Sequence, residues 1–244
     1  MARAAVSARS VVYYFAALLI IRYMIIGLVL LGLVAVLLFF GVAERVFKSF
    51  GVAYWLAFVM VGVLIGSAFI PSFTIGTVTF NVAGFIAPLV FAAVFFFLAT
   101  RSHEARRALM TTTVVMALFI AIWLLIEPIA NAAVTVIIIG FLCGAVSFLV
   151  GKTKLVALSA VFLGMPLGEI ISSAVNLYVY GTPMRFGTAA TFDAVILAAV
   201  FSVVLFEAIA AIKRTMNARA RSAAADAEAA EEFDADEYKK YFDE

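Results

Sequence analysis

The stretch that decides the fold covers residues 163–201 and reads LGMPLGEIISSAVNLYVYGTPMRFGTAATFDAVILAAVF. Two apolar segments are joined here by a short turn that contains Gly, Pro and Thr. The first segment carries Glu169 and the second carries Asp193. A carboxylate inside a membrane-length apolar segment is costly in free energy, so these two acids are the first candidates for functional residues.

The composition of the whole chain predicts an integral membrane protein. Hydrophobic residues make up 66% of the 244 positions and charged residues 13%, whereas a soluble domain has roughly 45–50% apolar and about 25% charged residues. The single cysteine, Cys143, excludes an internal disulfide, and the single histidine, His103, excludes a histidine-based metal site. We therefore expect no metal and no cofactor. The chain has no phosphate-binding loop or nucleotide fingerprint, and its basic clusters are too short to indicate nucleic-acid binding.

Seven apolar segments are each close to the roughly 20 residues that a transmembrane helix needs. They lie at about residues 20–41, 51–70, 82–100, 108–126, 130–150, 155–175 and 189–212. These segments predict an all-α membrane domain of about seven transmembrane helices over residues 1–216. Residues 1–19 either extend the first helix or lie along the interface. Residues 217–244 are predicted to form a charged tail, helical or disordered, through which a protein partner could dock.

The connections between these segments alternate between basic and nearly uncharged. Lys and Arg residues occur in the loops at 42–50, 101–107 and 151–154 and at the start of the tail. The other connections, at 71–81, 127–129 and 176–188, hold only Arg185. The positive-inside rule then places the basic loops and the C-terminus in the cytoplasm and the N-terminus outside the cell membrane.

A weak internal repeat relates residues 63–95 to residues 169–201 at an offset of 106. FNVAGFIAPLVFAAVF at 80–95 aligns without a gap on FGTAATFDAVILAAVF at 186–201. Both copies have the same predicted orientation in the membrane, and such repeats often enclose a site. The two copies differ at the acids, because Glu169 aligns with Val63 and Asp193 with Ala87.

Polar residues accompany the two acids in the second copy. Glu169, Ser173 and Asn176 follow a helical spacing that puts them on one face, together with Ser172. Thr188 and Thr191 are predicted to add hydroxyl groups beside Asp193. With the sixth helix ending near residue 175, Glu169 would lie about six residues, or about 9 Å, below its outer end. Gly164, Pro166 and Gly168 are expected to loosen this helix and to free backbone carbonyl groups.

The motifs of this chain resemble those of an uncharacterised family of archaeal and bacterial polytopic membrane proteins, the domain-of-unknown-function family sixteen-fourteen. The residues that carry the resemblance are Gly66-Ser67, Ile70-Pro71, Asn81-Val82-Ala83-Gly84, Pro88, Leu167-Gly168-Glu169 and Gly187-Thr188-Ala189-Ala190-Thr191-Phe192-Asp193-Ala194. The chain departs from the family pattern where Glu169 replaces an Asp and where several glycines are replaced by alanines. The resemblance implies paired sites in the two copies, with Asn81 and Pro88 as counterparts in the first, and implies no reaction.

Three functions fit these observations. The first is a small transporter or channel, in which Glu169, Asp193, Ser173, Asn176 and Thr191 bind a proton or cation between helices six and seven. The second is a non-catalytic subunit of a membrane complex. The third is an intramembrane aspartyl-type hydrolase whose two acids share one proton. The sequence favours a protein that is not an enzyme, and the lipid bilayer, an ion or small solute and a partner of the tail are its expected partners.

Overall fold

A computed structural model of the protein describes residues 25–41, 46, 54–126 and 132–242, with side chains up to residue 222. The predictions for residues 1–24, for most of the basic loop at 42–50 and for the turn at 127–129 lie outside these residues. Contacts divide the chain into two compact units, Met1–Val204 and Leu205–Glu244.

Seven helices form within the described residues, one for each predicted segment. They are α1 Ile25–Phe39, α2 Tyr54–Ser67, α3 Ala87–Arg101, α4 Ala105–Ile126, α5 Ala132–Gly151, α6 Lys154–Tyr180 and α7 Ala189–Phe242. A turn of π-helix, Val82–Ile86, leads directly into α3. Five of these helices, α3 with its π-helical turn and α4 to α7, are long and apolar enough to cross a membrane, and the described parts of α1 and α2 are shorter. The prediction of an all-α, multi-pass membrane fold is confirmed.

Helix α6 lies at the centre of the first unit, where it packs against α3, α4 and α5. Its glycines permit the close approach of α4. A Cβ atom on Gly164 would lie 2.8 Å from the carbonyl oxygen of Thr112, and one on Gly168 would lie 2.7 Å from the ring of Phe119. Small residues serve this purpose in membrane proteins, because they let helix backbones approach closely. Helix α6 continues through Pro166 without interruption. Gly164 and Gly168 therefore lie within a continuous helix, where they form its contact with α4.

Helix α6 also runs further than the sequence predicted. It ends at Tyr180, followed by Gly181 in the left-handed conformation with φ +66°, whose amide donates to the carbonyl of Leu177. This is a common helix stop, because glycine adopts a positive φ without steric cost. Glu169 therefore lies 180 − 169 = 11 residues before the end of the helix, and not about six.

The connections opposite the basic loops form a small sheet. Strands β1 (Phe73–Ile75) and β2 (Val78–Phe80) make an antiparallel hairpin, and β3 (Arg185–Phe186) pairs with β2 in parallel. Thr79 pairs with Arg185 and Phe80 with Phe186, so the strands meet at the repeat offset, since 185 − 79 and 186 − 80 are both 106. We call these three strands the outer cap, after the side of the membrane on which the sequence predicts them. In this register the cap joins equivalent positions of the two copies of the repeat.

Two basic connections meet at the other end of the bundle. The hydroxyl of Thr153, which precedes α6, donates to Oε2 of Glu104 at 2.9 Å. Glu104 also forms an ion pair with Arg107 at 3.8 Å. The loops between α3 and α4 and between α5 and α6 are therefore on the same side, as the alternation of charge requires.

Candidate functional site between helices six and seven

Glu169 lies on α6 beside the start of α7, and only 2% of its surface is exposed. Its Oε2 accepts a hydrogen bond from the amide of Gly187 at 2.6 Å. Its Oε1 accepts from the amide of Thr188 at 3.1 Å and from the hydroxyl of Thr191 at 2.5 Å. Both oxygens are thus bound by donors, an arrangement that suits an ionised carboxyl group, which accepts at both oxygens.

These donors belong to the N-terminal end of α7. The first amides of a helix lack acceptors within the helix and must find them elsewhere. The hydroxyl of Thr188 accepts from the amide of Thr191 at 3.2 Å, as a capping side chain does. Glu169 accepts hydrogen bonds from the amides of Gly187 and Thr188, the two residues before the helix. A negative charge is also favoured at this end of the helix dipole. Glu169 therefore caps α7 from a neighbouring helix.

Gly187 connects this cap to the first copy of the repeat. Its φ is +75°, and a Cβ atom there would lie 2.6 Å from the amide nitrogen of Phe85 and 2.8 Å from the carbonyl oxygen of Asn81. On the other side of the contact, a Cβ atom on Gly84 would lie 2.3 Å from the carbonyl oxygen of Gly187. The peptide that binds Glu169 thus packs directly on the turn that begins α3.

Asp193 has a different partner. It is 3% exposed, and its Oδ1 accepts from the amide of Gly27 at 2.8 Å, in the first described turn of α1. Thr191 and Asp193 are two residues apart, which places them about 200° apart around the axis of α7. The Thr191 hydroxyl that binds Glu169 and the carboxylate of Asp193 therefore lie on opposite sides of α7. Glu169 and Asp193 share no hydrogen-bond partner among the described residues.

The remaining candidates of the second copy are only partly brought together. Thr191 contacts Glu169, and not Asp193 as the sequence suggested. Ser173 donates to the carbonyl of Arg185 at 3.2 Å, at the edge of the outer cap. Asn176 is half-buried, two helical turns beyond Glu169.

The two candidates of the first copy have separate roles. The side chain of Asn81 accepts from the amide of Gly84 at 3.1 Å and donates to the hydroxyl of Ser72 at 3.1 Å. The amide of Asn81 donates to the carbonyl of Phe186 at 2.9 Å, which places Asn81 next to the peptide that binds Glu169. Pro88 is buried in the first turn of α3, where a missing amide hydrogen costs little.

Sequence reasoning gave no role to two glycines that position the acids, Gly27 and Gly187, although Gly187 belongs to the motif that carries the family resemblance. The start of α7 could have been recognised from Thr188, because a Thr directly before an apolar segment is a typical N-cap residue. Its hydroxyl accepts from the amide of Thr191, three residues later. The acceptor that α6 supplies could not have been recognised, because nothing local in the chain links Glu169 to the start of α7. No group of three or more potential metal ligands from His, Cys, Asp and Glu occurs in the part of the chain that the structure describes.

Comparison with known proteins identifies the family. The profile described as YphA-like integral membrane protein matches residues 42–227, which include both acids. The chain belongs to the YphA-like integral membrane protein family. No curated protein and no solved structure matches this YphA-like chain. Membership of a membrane-protein family is confirmed, while the more specific resemblance to family sixteen-fourteen stays a prediction.

Proposed function

We propose that this YphA-like protein is a small transporter or channel of the cell membrane in which Glu169 takes up and releases a proton. The observation that supports this function is the burial of Glu169 within the membrane domain, where donors of α7 bind both of its oxygens. No Lys or Arg pairs with it among the described residues. Buried acids inside membrane proteins commonly belong to proton or ion pathways.

A proton fits this site better than a metal cation. The carboxylate oxygens face N–H and O–H hydrogens, which would repel a cation approaching the same oxygens. A proton, in contrast, binds to one oxygen and turns that acceptor into a donor. Among the described residues, Oε2 accepts from the amide of Gly187 alone, so it has a second lone pair that can take the proton. Protonation removes the negative charge and weakens the hydrogen bond to Gly187, because a neutral carboxyl oxygen is a poorer acceptor than a carboxylate.

Weakening of this contact would loosen the attachment of the start of α7 to α6. Because Gly187 packs on Phe85 and Asn81, its movement would be transmitted to the turn before α3 and to the outer cap. Asp193 holds the opposite side of α7 to α1 through Gly27. The proposal therefore assigns Glu169 as the proton-binding residue and Asp193 as a second acid that sets the position of the same helix. Ser173 and Thr191 support the site, and Asn176 lies on the outer part of α6.

Proton flux into proteoliposomes tests this function. Purified protein would be reconstituted with a trapped pH-sensitive dye, and a potassium gradient with valinomycin would supply the driving potential. We expect flux for the wild type, loss of flux for Glu169→Gln and reduced flux for Asp193→Asn. Glu207→Gln removes another half-buried acid from α7 and should leave the flux unchanged. Equal flux in the wild type and in the Glu169→Gln/Asp193→Asn double variant would refute the proposal.

A non-catalytic subunit of a membrane complex is the second candidate. The three hydrogen bonds that Glu169 accepts at the start of α7 favour it, because an acid that only caps a helix needs no substrate. In this case the tail at 217–244 is the expected docking element. Purification in mild detergent, with and without residues 217–244, would reveal a partner that depends on the tail. An isolated particle that transports protons would argue against this candidate.

An intramembrane aspartyl-type hydrolase has less support. Two acids that share a proton must be close neighbours, whereas Glu169 and Asp193 bind on opposite sides of α7. Unchanged cleavage of a membrane substrate by Asp193→Asn would exclude it.

A further inference from the structure

The hairpin between α2 and α3 presents apolar side chains to its surroundings at the outer end of the bundle. Four of them form what we call the hairpin face: Phe69, Ile70, Phe73 and Ile75 are 66%, 46%, 41% and 66% exposed. All three residues of β1 are exposed. Residues 51–100 contain no charged residue, so no charge keeps this connection in water.

The hairpin face follows directly on α2, whose exposed apolar residues we expect to face lipid. On α2, Val59 and Val63 are 48% and 49% exposed, and on α3, Val90 is 55% exposed. These helices belong to a membrane domain, so their exposed apolar residues face acyl chains. A large apolar patch on the surface of a protein marks a binding surface, and here it adjoins the surface that contacts the bilayer.

The backbone limits how deep the hairpin can lie. Within the described residues, strand β1 pairs only with β2 and forms the edge of the three-stranded sheet. Unpaired amide and carbonyl groups of an open sheet edge are not found within the hydrocarbon core facing lipid. The hairpin must therefore remain where headgroups and water can satisfy its edge.

We propose that the hairpin face binds lipid at the boundary between headgroups and acyl chains, in the leaflet opposite the basic loops. The partner is the lipid of the protein's own membrane, and the recognition is apolar and independent of lipid charge. The other outer turn differs, because Thr182 is exposed beside the exposed and charged Arg185. We therefore expect Thr182 to lie closer to water than Ile75. This inference does not depend on proton transport.

Depth-dependent fluorescence quenching tests the placement. Single cysteines would be introduced at Ile75, at Thr182 as the water reference and at Val90 as the lipid reference, in a Cys143→Ala background. Each would be labelled with a nitrobenzoxadiazole dye and reconstituted at low protein-to-lipid ratio. The vesicles would contain lipids with a spin label either in the headgroup or deep in the acyl chain.

We expect the Ile75 label to emit at shorter wavelength than the Thr182 label and to be quenched most by the headgroup spin label. The Val90 label should be quenched most by the deep spin label. Emission and quenching at Ile75 equal to those at Thr182 would overturn the proposal. Strong deep quenching at Ile75 would contradict the interfacial depth. A blue shift that lipid spin labels do not quench, and that grows with protein density, would assign the face to a second copy of the chain and also overturn it.

Membranes of different charge provide the second measurement. The Ile75 signal should be the same in neutral vesicles and in vesicles rich in anionic lipid, because the hairpin carries no charge. A signal that requires anionic lipid would show that charged residues elsewhere hold the hairpin at the surface, and would contradict apolar recognition.

Discussion

At the scale of single residues, Glu169 determines how the start of α7 is held. Three donors from Gly187, Thr188 and Thr191 converge on its carboxylate. A buried donor that loses its acceptor costs about 1–3 kcal/mol. The side chain therefore stabilises the fold, in addition to the proton-binding role that we propose for it.

Replacement of Glu169 should lower the stability of the protein in a graded way. Glu169→Gln keeps one acceptor oxygen but can place its side-chain NH2 group against the amide of Gly187. We therefore expect the free energy of unfolding to fall by about 1–3 kcal/mol. Glu169→Ala leaves all three donors without their acceptor and should be less stable still. A thiol-reactive dye can follow thermal unfolding, because Cys143 is the only cysteine and is fully buried. A Glu169→Gln variant that unfolds at the same temperature as the wild type would contradict this role.

Gly187 should tolerate no side chain. Gly187→Ala would place a Cβ atom 2.6 Å from the amide nitrogen of Phe85 and would also force alanine to a φ of +75°. Gly181→Ala is a matched control, because Gly181 has a φ of +66° and a Cβ atom there would meet no atom within 4 Å. The backbone strain alone costs about 1–3 kcal/mol. In the same unfolding assay we expect Gly187→Ala to be clearly less stable than Gly181→Ala, and equal losses would show that the contact with Phe85 is unimportant.

At the scale of elements, glycines set the distance between α4 and α6. Neither Gly164 nor Gly168 has room for a Cβ atom, whereas a Cβ atom on Gly62 or Gly66 of α2 would meet no atom within 4 Å. Glycine inside a helix is less favourable than alanine by roughly 0.5–1 kcal/mol. At Gly164 the lack of space opposes this preference for alanine, whereas at Gly62 the preference acts alone. Alanine substitutions in α6 and in α2 therefore separate the steric effect of a Cβ atom from the effect of helix propensity.

Alanine substitutions should therefore have opposite effects on the two helices. Gly164→Ala would bring a Cβ atom to 2.8 Å from the backbone oxygen of Thr112, so α4 must move and the protein should lose stability. Gly62→Ala should be neutral or stabilising by up to about 1 kcal/mol. Melting temperatures of the two variants, measured by dye access to Cys143, check this order. The reverse order would mean that α6 does not depend on the close approach of α4.

At the scale of the whole molecule, the outer cap and the basic loops mark the two ends of the first unit. Glu104 and Thr153 join two basic connections at one end, and β2 and β3 join two uncharged connections at the other, apart from Arg185. From the positive-inside rule we predict that the end with Lys152 lies in the cytoplasm.

Thiol labelling of intact cells tests this orientation. In a Cys143→Ala background, Thr182→Cys should react with a membrane-impermeant maleimide from outside the cell. Lys152→Cys, which is exposed at the other end, should react only after the membrane is opened. Labelling of Lys152→Cys in intact cells would reverse the proposed topology and would move the hairpin face to the inner leaflet.

The repeat is visible in the sequence, and its consequence is visible only in the structure. The offset of 106 aligns Phe80 with Phe186, and the structure pairs these same residues on adjacent strands, with ring centroids 5.4 Å apart. The alignment could not predict this pairing, because similarity between two segments does not tell whether they touch. Helix α6 also extends beyond its predicted end near residue 175. The prediction followed the end of the apolar segment, whereas the helix continues to Tyr180 and is terminated by Gly181.

The sequence by itself determined the class of the protein, the seven helices and the presence of two costly acids in apolar segments. These are local properties, because the thickness of a bilayer sets the length of each apolar run. The tertiary structure alone decided what the acids bind. Glu169 meets partners 18 to 22 residues away, across a turn, and Asp193 meets one 166 residues away. Their positions depend on which side of α7 each neighbouring helix packs, and helix packing is a property of the whole bundle.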